Sequence, residues 1–221
     1  MSKKMMLLAL AVVSAAAFAL PAGASAAELH ASNAPYTFGG TFGAGTLTAE
    51  GEPVITCGDA TNINHVTGNV TTGGTTGHIV LDFTGCHTSV FGFTAKCRTA
   101  NSPLDNTIAS KGVFHFITVS PNVPGVLVTA DPTEIICAGI SNTKVTGNII
   151  GTITSPKCGA PAQTSMTLSF TSTGNVQNDK TYTSGSYNLS AQTSGGTAKE
   201  AGLNSAAATV ESATASSLTC T

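Results

Sequence analysis

The chain has 221 residues, only 9% of them charged, and it contains no Trp. Nine basic residues against eleven acidic ones give a formal net charge of −2, and Arg98 is the sole arginine. So few cations leave no footprint for counterion-release binding to nucleic acid, and they exclude a polybasic contact with a membrane.

The first segment reads as a secretory signal peptide, residues 1–26. Lys3 and Lys4 form a positive start, Met5 to Leu20 an apolar run, and Pro21 to Ala27 a small-residue stretch holding Ala24-Ser25-Ala26. The apolar run is shorter than the roughly 20 residues a bilayer requires. The expectation is therefore an exported, soluble chain, residues 27–221, with no membrane insertion after signal cleavage. Loss of Lys3 and Lys4 leaves seven basic residues against eleven acidic ones, a formal charge of −4. No cysteine lies near the cut to carry a lipid, and the terminal "SSLTCT" has no hydrophobic tail.

Beyond the leader the chain is rich in Thr, Gly, Ser, Val and Ile and poor in the charged residues that form the solvent face of helices, which predicts an all-β fold. In "HIVLDF" the side chains of Ile79, Leu81 and Phe83 share one strand face, and His78, Val80 and Asp82 the other. "VFHFITV" sets Phe114 and Phe116 opposite Val113, His115 and Ile117, and "SMTLSF" sets Met166, Leu168 and Phe170 opposite Ser165, Thr167 and Ser169. Turn signals stand between such runs: Gly73-Gly74, "SPLDN" around Pro103, Pro121 to Gly125, Ser155 to Pro161, and Gly195-Gly196. One stretch, "TAKEAGLNSAAA", reads as a candidate helix that Gly202 and Asn204 weaken.

Two segments share a pattern. Strand ends "PVITC" and "TEIIC" each precede a VTGN, at Val66 to Asn69 and Val145 to Asn148, and the last strand "SSLTC" ends like the first two. The repetition predicts an internal repeat, approximately 53–133 and 134–221, inside a single β domain. Within each VTGN the valine is expected in a core, the threonine outward, and the glycine where a side chain would collide or a bulge is wanted. The expected architecture is an antiparallel β-sandwich, or barrel-like, built from two related halves that share one core; two separate small barrels are the alternative.

Six cysteines in an exported chain predict three disulfides among Cys57, Cys86, Cys97, Cys137, Cys158 and Cys220. No CxxC pair exists to support a thiol oxidoreductase or a zinc ribbon. Closure of local loops favours Cys86 with Cys97 and Cys137 with Cys158, leaving Cys57 for Cys220.

Strands ending "ITC", a VTGN strand, an "FTGC" strand end and a terminal "LTC" in an exported chain resemble a group of uncharacterised secreted Thr/Gly-rich β proteins of high-GC Gram-positive bacteria. That resemblance implies the β fold and export, and no activity.

Candidate chemical sites are few. His78 and Asp82 share a strand face with His87 beyond the next turn, but strand residues four apart lie about 13 Å apart, too far for one metal ion without a bulge. Ser141 to Lys144 matches S-x-x-K without its partner motifs, and no G-x-S-x-G elbow occurs. Asp105, Asp131, Glu134 and Asp179 are scattered in predicted turns, so a pair of catalytic carboxylates requires convergence in the fold. The loop Asn175 to Lys180 lacks EF-hand spacing and reads as a hairpin turn. Asn69 and Asn188 head formal glycosylation sequons, expected by chance in so Thr- and Ser-rich a chain. Without Trp, a sugar platform would depend on Tyr36, Tyr182 and Tyr187, the last two able to share a hairpin.

The sequence thus predicts no catalytic, metal or cofactor site and an exported structural or interaction module whose partner is a protein or a cell surface. The early "GTLTAEGEPVITC" is similar to the start of fimbrial subunits, although Cys220 stands where that family has a penultimate Tyr. The alternatives are a secreted hydrolase whose site converges only in the fold, marked by a pocket holding His78, His115 or Asp82 beside a second acid, and a secreted inhibitor presenting the loop from Cys86 to Cys97.

Overall fold

The structure, a computed structural model, describes residues 29–100, 102, 104–182 and 185–220; the predicted signal peptide lies outside them. Among the described residues there are twenty strands and no helix, and the strands pair antiparallel throughout. Fourteen of them close into a barrel system with one internal crossing, and this resolves into two rings that share a hairpin.

In neighbour order the first ring runs β2 (Tyr36–Phe42), β5 (Asn64–Val70), β6 (Thr76–Phe83), β9 (Ile108–Ser120), the first half of β10 (Val123–Cys137), the second half of β11 (Ser141–Ser155), β12 (Gln163–Ser169) and β19 (Ala208–Ser216), which returns to β2. The second ring runs β3 (Gly45–Ala49), β4 (Ile55–Cys57), β7 (His87–Val90), β8 (Phe93–Thr99), the second half of β10, the first half of β11, β17 (Leu189–Thr193) and β18 (Lys199–Ser205), which returns to β3. Short pairs complete the fold: β1 (Leu29–Ala31) with β20 (Leu218–Cys220), β13 (Ser172–Thr173) with β14 (Val176–Gln177), and β15 (Thr181–Tyr182) with β16 (Gly185–Ser186). The barrel form of the expectation is the one realised. Eight strands enclose a space that side chains alone can fill, and closure removes the open edges that would otherwise pair with another chain.

The alternation read in the sequence supplies the filling. Ile79, Leu81 and Phe83 are buried inside the first ring, as are Phe114 and Phe116, whose rings meet edge to face at 5.2 Å. Buried residues of both rings form a single contiguous core. On the outside of the first ring a second small cluster, Ile117, Leu127 and Ile150, is covered by Tyr182 and Tyr187.

The seam is a defect in the shared hairpin. Ala130 faces Gly147 and the next paired residues are Thr133 and Val145, so Asp131 and Pro132 oppose Thr146 alone. Proline, which has no N–H to give the ladder, suits such a bulge. Gly147 adopts φ 113°, and a Cβ there would run into the Asn188 carbonyl. At this bend β10 changes its outer partner from β9 to β8, and β11 from β17 to β12. The second VTGN therefore lies at the seam. The first lies within β5, where a Cβ on Gly68 would strike the His78 carbonyl and the Phe38 ring. Val66 and Val145 are both buried, as expected of the pair.

Two expectations are corrected. The stretch "TAKEAGLNSAAA" is strand, not helix: β18 pairs with both β17 and β3, fully burying Ala201, and ladder pairing overrides local propensity. Disulfides join Cys57 to Cys86, Cys97 to Cys137 and Cys158 to Cys220, not the local loops expected. Cys57 in β4, Cys86 just before β7, Cys97 in β8 and Cys137 in β10 form a row. The middle neighbours, Cys86 and Cys97, are joined by one backbone hydrogen bond, the Cys97 N–H donating to the Cys86 carbonyl at 2.9 Å while the Cys86 N–H goes to the Asn106 carbonyl at 2.9 Å. The outer neighbours bring their Cα atoms to 4.1 Å, the close spacing of a pair without hydrogen bonds, where cross-strand sulfurs meet.

Candidate interaction site

The hairpin of β7 and β8 stands apart from the rest of the second ring. Val90 pairs with Phe93 across a two-residue turn in which Phe91 (φ 49°) and Gly92 (φ 82°) both take the left-handed conformation, the type I′ geometry that matches strand twist. Only Thr88 and His87 pair with β4, and pairing with β10 begins at Cys97, so 89–94 project past both neighbours. Phe91 is 96% exposed and Phe93 77%. Phe93 shares its strand face with buried Ala95 and Cys97, so the apolar alternation runs on beyond the rim, where no core lies beneath it.

The base of this hairpin is rigid. Two disulfides fix Cys86 and Cys97 to the flanking strands, and all four cysteines of the row are at most 4% exposed. The Thr88 hydroxyl, buried at the same level, donates to the Val54 carbonyl at 2.8 Å. His87, Lys96 and Arg98 lie on the outward face, and no acid occurs between Asp82 and Asp105. The hairpin is thus locally cationic in an anionic chain.

A cleft of about 690 Å³ opens at the seam, with Asp82, Leu104, Lys111, Asp131, Pro132 and Glu134 among its walls. The bulge creates it by swinging Asp131 and Pro132 out of the ladder, while the Thr133 hydroxyl turns back, donating to the Asp131 carbonyl at 3.0 Å and lying 3.3 Å from the Ser110 hydroxyl. Behind Lys111 and Thr133, which line both spaces, is an almost wholly apolar cavity of about 80 Å³ walled by Leu81, Val128, Ile135, Val145 and Ile149. The result is a polar, acid-rich mouth over an apolar floor.

The other sequence candidates are dispersed. His78 faces Val113 and His115 faces Thr76 in the ladders, away from the cleft, and His87 holds the Gly85 carbonyl at 3.0 Å through Nδ1. No three His, Cys, Asp or Glu side chains converge on a metal position among the described residues. Ser141 to Lys144 open strand β11. Of the expected turn from Asn175 to Lys180, Asn175 sits in the β13–β14 turn but Val176 and Gln177 are strand β14, and Asp179 accepts a hydrogen bond from the Thr152 hydroxyl at 2.9 Å. Tyr182 and Tyr187 do share a hairpin segment, with ring centroids 6.4 Å apart, but they cover the outer cluster and offer no flat open platform. Asn69 pairs with Thr37 and His78 inside the first ring, and Asn188 accepts the Asn148 N–H at 3.0 Å. Asp59 is fully exposed and accepts hydrogen bonds from the hydroxyl and N–H of Thr61 and from Asn62, which hold its carboxyl well below the usual carboxylate range.

The cleft escaped the sequence reading. Its one signal is Pro132 inside "TADPTEIIC", an otherwise strand-like run, which marks a bulge. Asp131 and Glu134, assigned to turns from sequence, are strand residues on either side of that bulge. Comparison of the chain with protein families, with curated proteins and with solved structures returns no match.

Proposed function

We propose that the protein is an exported, non-enzymatic β-domain that acts as a structural or interaction module at or outside the cell surface and makes its contact through the β7–β8 hairpin. One observation carries this reading: two phenylalanines stand almost fully exposed on a projecting hairpin whose base is clamped by two disulfides. Aromatic anchors dominate binding energy, and anchors held in place before binding lose little entropy when they dock. The three disulfides suit an oxidising compartment, in agreement with export. Ring closure argues against fimbria-like strand exchange, which would have to open a ring to admit a donor strand. The inhibitor reading is a special case of the same hairpin, with a hydrolase as its target.

The test is distribution in the producing cells. Wild-type protein and a Phe91→Ser/Phe93→Ser variant are compared between culture medium and a cell-surface wash. The expected result is surface retention that the variant loses; equal distribution of the two sinks the proposal.

A second reading, the hydrolase, draws on Asp82 sharing the seam cleft with Asp131 and Glu134. Turnover of a glycoside or ester by the wild type, abolished in Asp131→Asn, would establish it.

A further inference from the structure

We infer that the partner of the hairpin is a second copy of this chain, which receives Phe91 and Phe93 in its seam cleft, so that the protein assembles head to tail. The inference rests on the hairpin reading and names its occupant.

Charge complementarity is the first argument. The hairpin carries His87 and Lys96 without an acid, while the Arg98 guanidinium turns to the Ala100 carbonyl at 3.4 Å in the cleft wall; the cleft holds Asp82 and Asp131 beside Lys111, and Glu134 stands opposite Lys144 in the β10–β11 ladder. The tip side of the hairpin is thereby cationic and the cleft mouth acidic. Opposed patches steer encounter and fix register.

Size and polarity agree. A cleft of about 690 Å³ lies within the range of pockets that bury a ligand of a few hundred Å³, on the scale of two aromatic side chains. Leu104, 58% exposed, and Pro132 give its rim apolar surface, and the apolar cavity lies directly behind.

Placement excludes an intramolecular contact. Thr99 lines the cleft and Phe93 begins the tip, six residues apart on one extended strand, or about 20 Å. The tip points away from the first ring while the cleft lies against it, so a molecule cannot fill its own cleft. Two different patches that fit each other make a heterologous contact, which yields a ring or an open filament according to the rotation it imposes.

Sedimentation velocity of residues 27–221 over a rising concentration series tests this. The wild type is expected to build species larger than a dimer, and added salt to weaken them. Phe91→Ser/Phe93→Ser and Asp131→Lys/Glu134→Lys each alter only exposed side chains, and each is expected to weaken self-association roughly tenfold or more. Mixed together, the two variants retain one intact hairpin and one intact cleft, and are expected to form a one-to-one complex that grows no further. A wild type that stays monomeric at every concentration overturns the inference, as does a mixture that forms no complex or one that keeps growing. Cell-surface retention that still depends on Phe91 and Phe93 would then leave the proposed function standing with a different partner; loss of both would remove both.

Discussion

Removal of the Cys97–Cys137 disulfide by Cys97→Ala/Cys137→Ala tests the strand ladder and its energetics together. The three bridges span 29, 40 and 62 residues in succession, and no loop contains another. Each therefore restricts the unfolded chain independently, and chain-entropy arithmetic gives about 3.6, 3.9 and 4.3 kcal/mol for the three loops. The double variant should lose about 4 kcal/mol, with a further cost from the space left by two buried sulfurs. With a urea m-value of about 2 kcal/mol per M, the midpoint falls by about 2 M, and m itself rises because the unfolded chain is released. Thiol titration in denaturant supplies the independent check. The ladder pairing leaves Cys57–Cys86 and Cys158–Cys220 intact and no free thiol; the local pairing would strand Cys86 and Cys158. Two free thiols, or a midpoint shift below about 0.5 M, would refute the reasoning.

Three further outcomes follow from the geometry. Asn64 is fully buried, its Nδ2 donating to the Gly43 carbonyl at 2.7 Å and its Oδ1 accepting the Thr84 N–H at 2.8 Å, so Asn64→Ala leaves two backbone groups unpaired and should cost about 2–4 kcal/mol in urea unfolding. Gly68→Ala drives a methyl into the His78 carbonyl and should cost about 1–3 kcal/mol, whereas Gly39→Ala, whose Cβ would find its nearest atom at 3.8 Å, should change stability by no more than about 0.5 kcal/mol. Asp59 has a folded-state pKa below its unfolded value because of its bonds to Thr61 and Asn62; its contribution is present above the unfolded pKa of about 4 and lost as pH falls below it, so wild type and Asp59→Ala should differ in melting temperature at neutral pH and converge in strong acid.

The β class was legible because alternation is local: Ile79, Leu81 and Phe83 announce a half-buried strand whatever they pack against. The projecting hairpin was partly legible as well, since the segment from Cys86 to Cys97 reads as a loop to be presented, although its clamp is two bridges to the flanking strands and not one between its own ends. The disulfide pairing was not legible, because it depends on ladder parity. Cys86 and Cys97 are consecutive cysteines that face each other in the sheet, yet a backbone hydrogen bond joins them there, and that parity emerges only once β4 and β10 are in register beside them. The cleft was hidden for a related reason. Asp82, Lys111 and Asp131 come from three strands, and they converge only because β10 changes partners at Pro132.

The shared hairpin makes the two rings mechanically one body. β10 and β11 each run fifteen residues through both, so the two rings share a continuous pair of strands. The common core ties them further. Unfolding should accordingly be a single cooperative event for the rings, with 89–94, which no flanking strand supports, the part of the second ring least involved in it. Such a division suits an assembling module. The cleft sits at the bulge of the shared hairpin, and the anchor sits at the end of a strand that starts in that cleft and passes through the cysteine row. A pull on the docked tip is then carried through Cys97–Cys137 into β10 and on to the Asp131-Pro132 bulge that receives the next molecule. Load would pass along a chain of subunits through the buried Cys97–Cys137 bridge and the strand ladder.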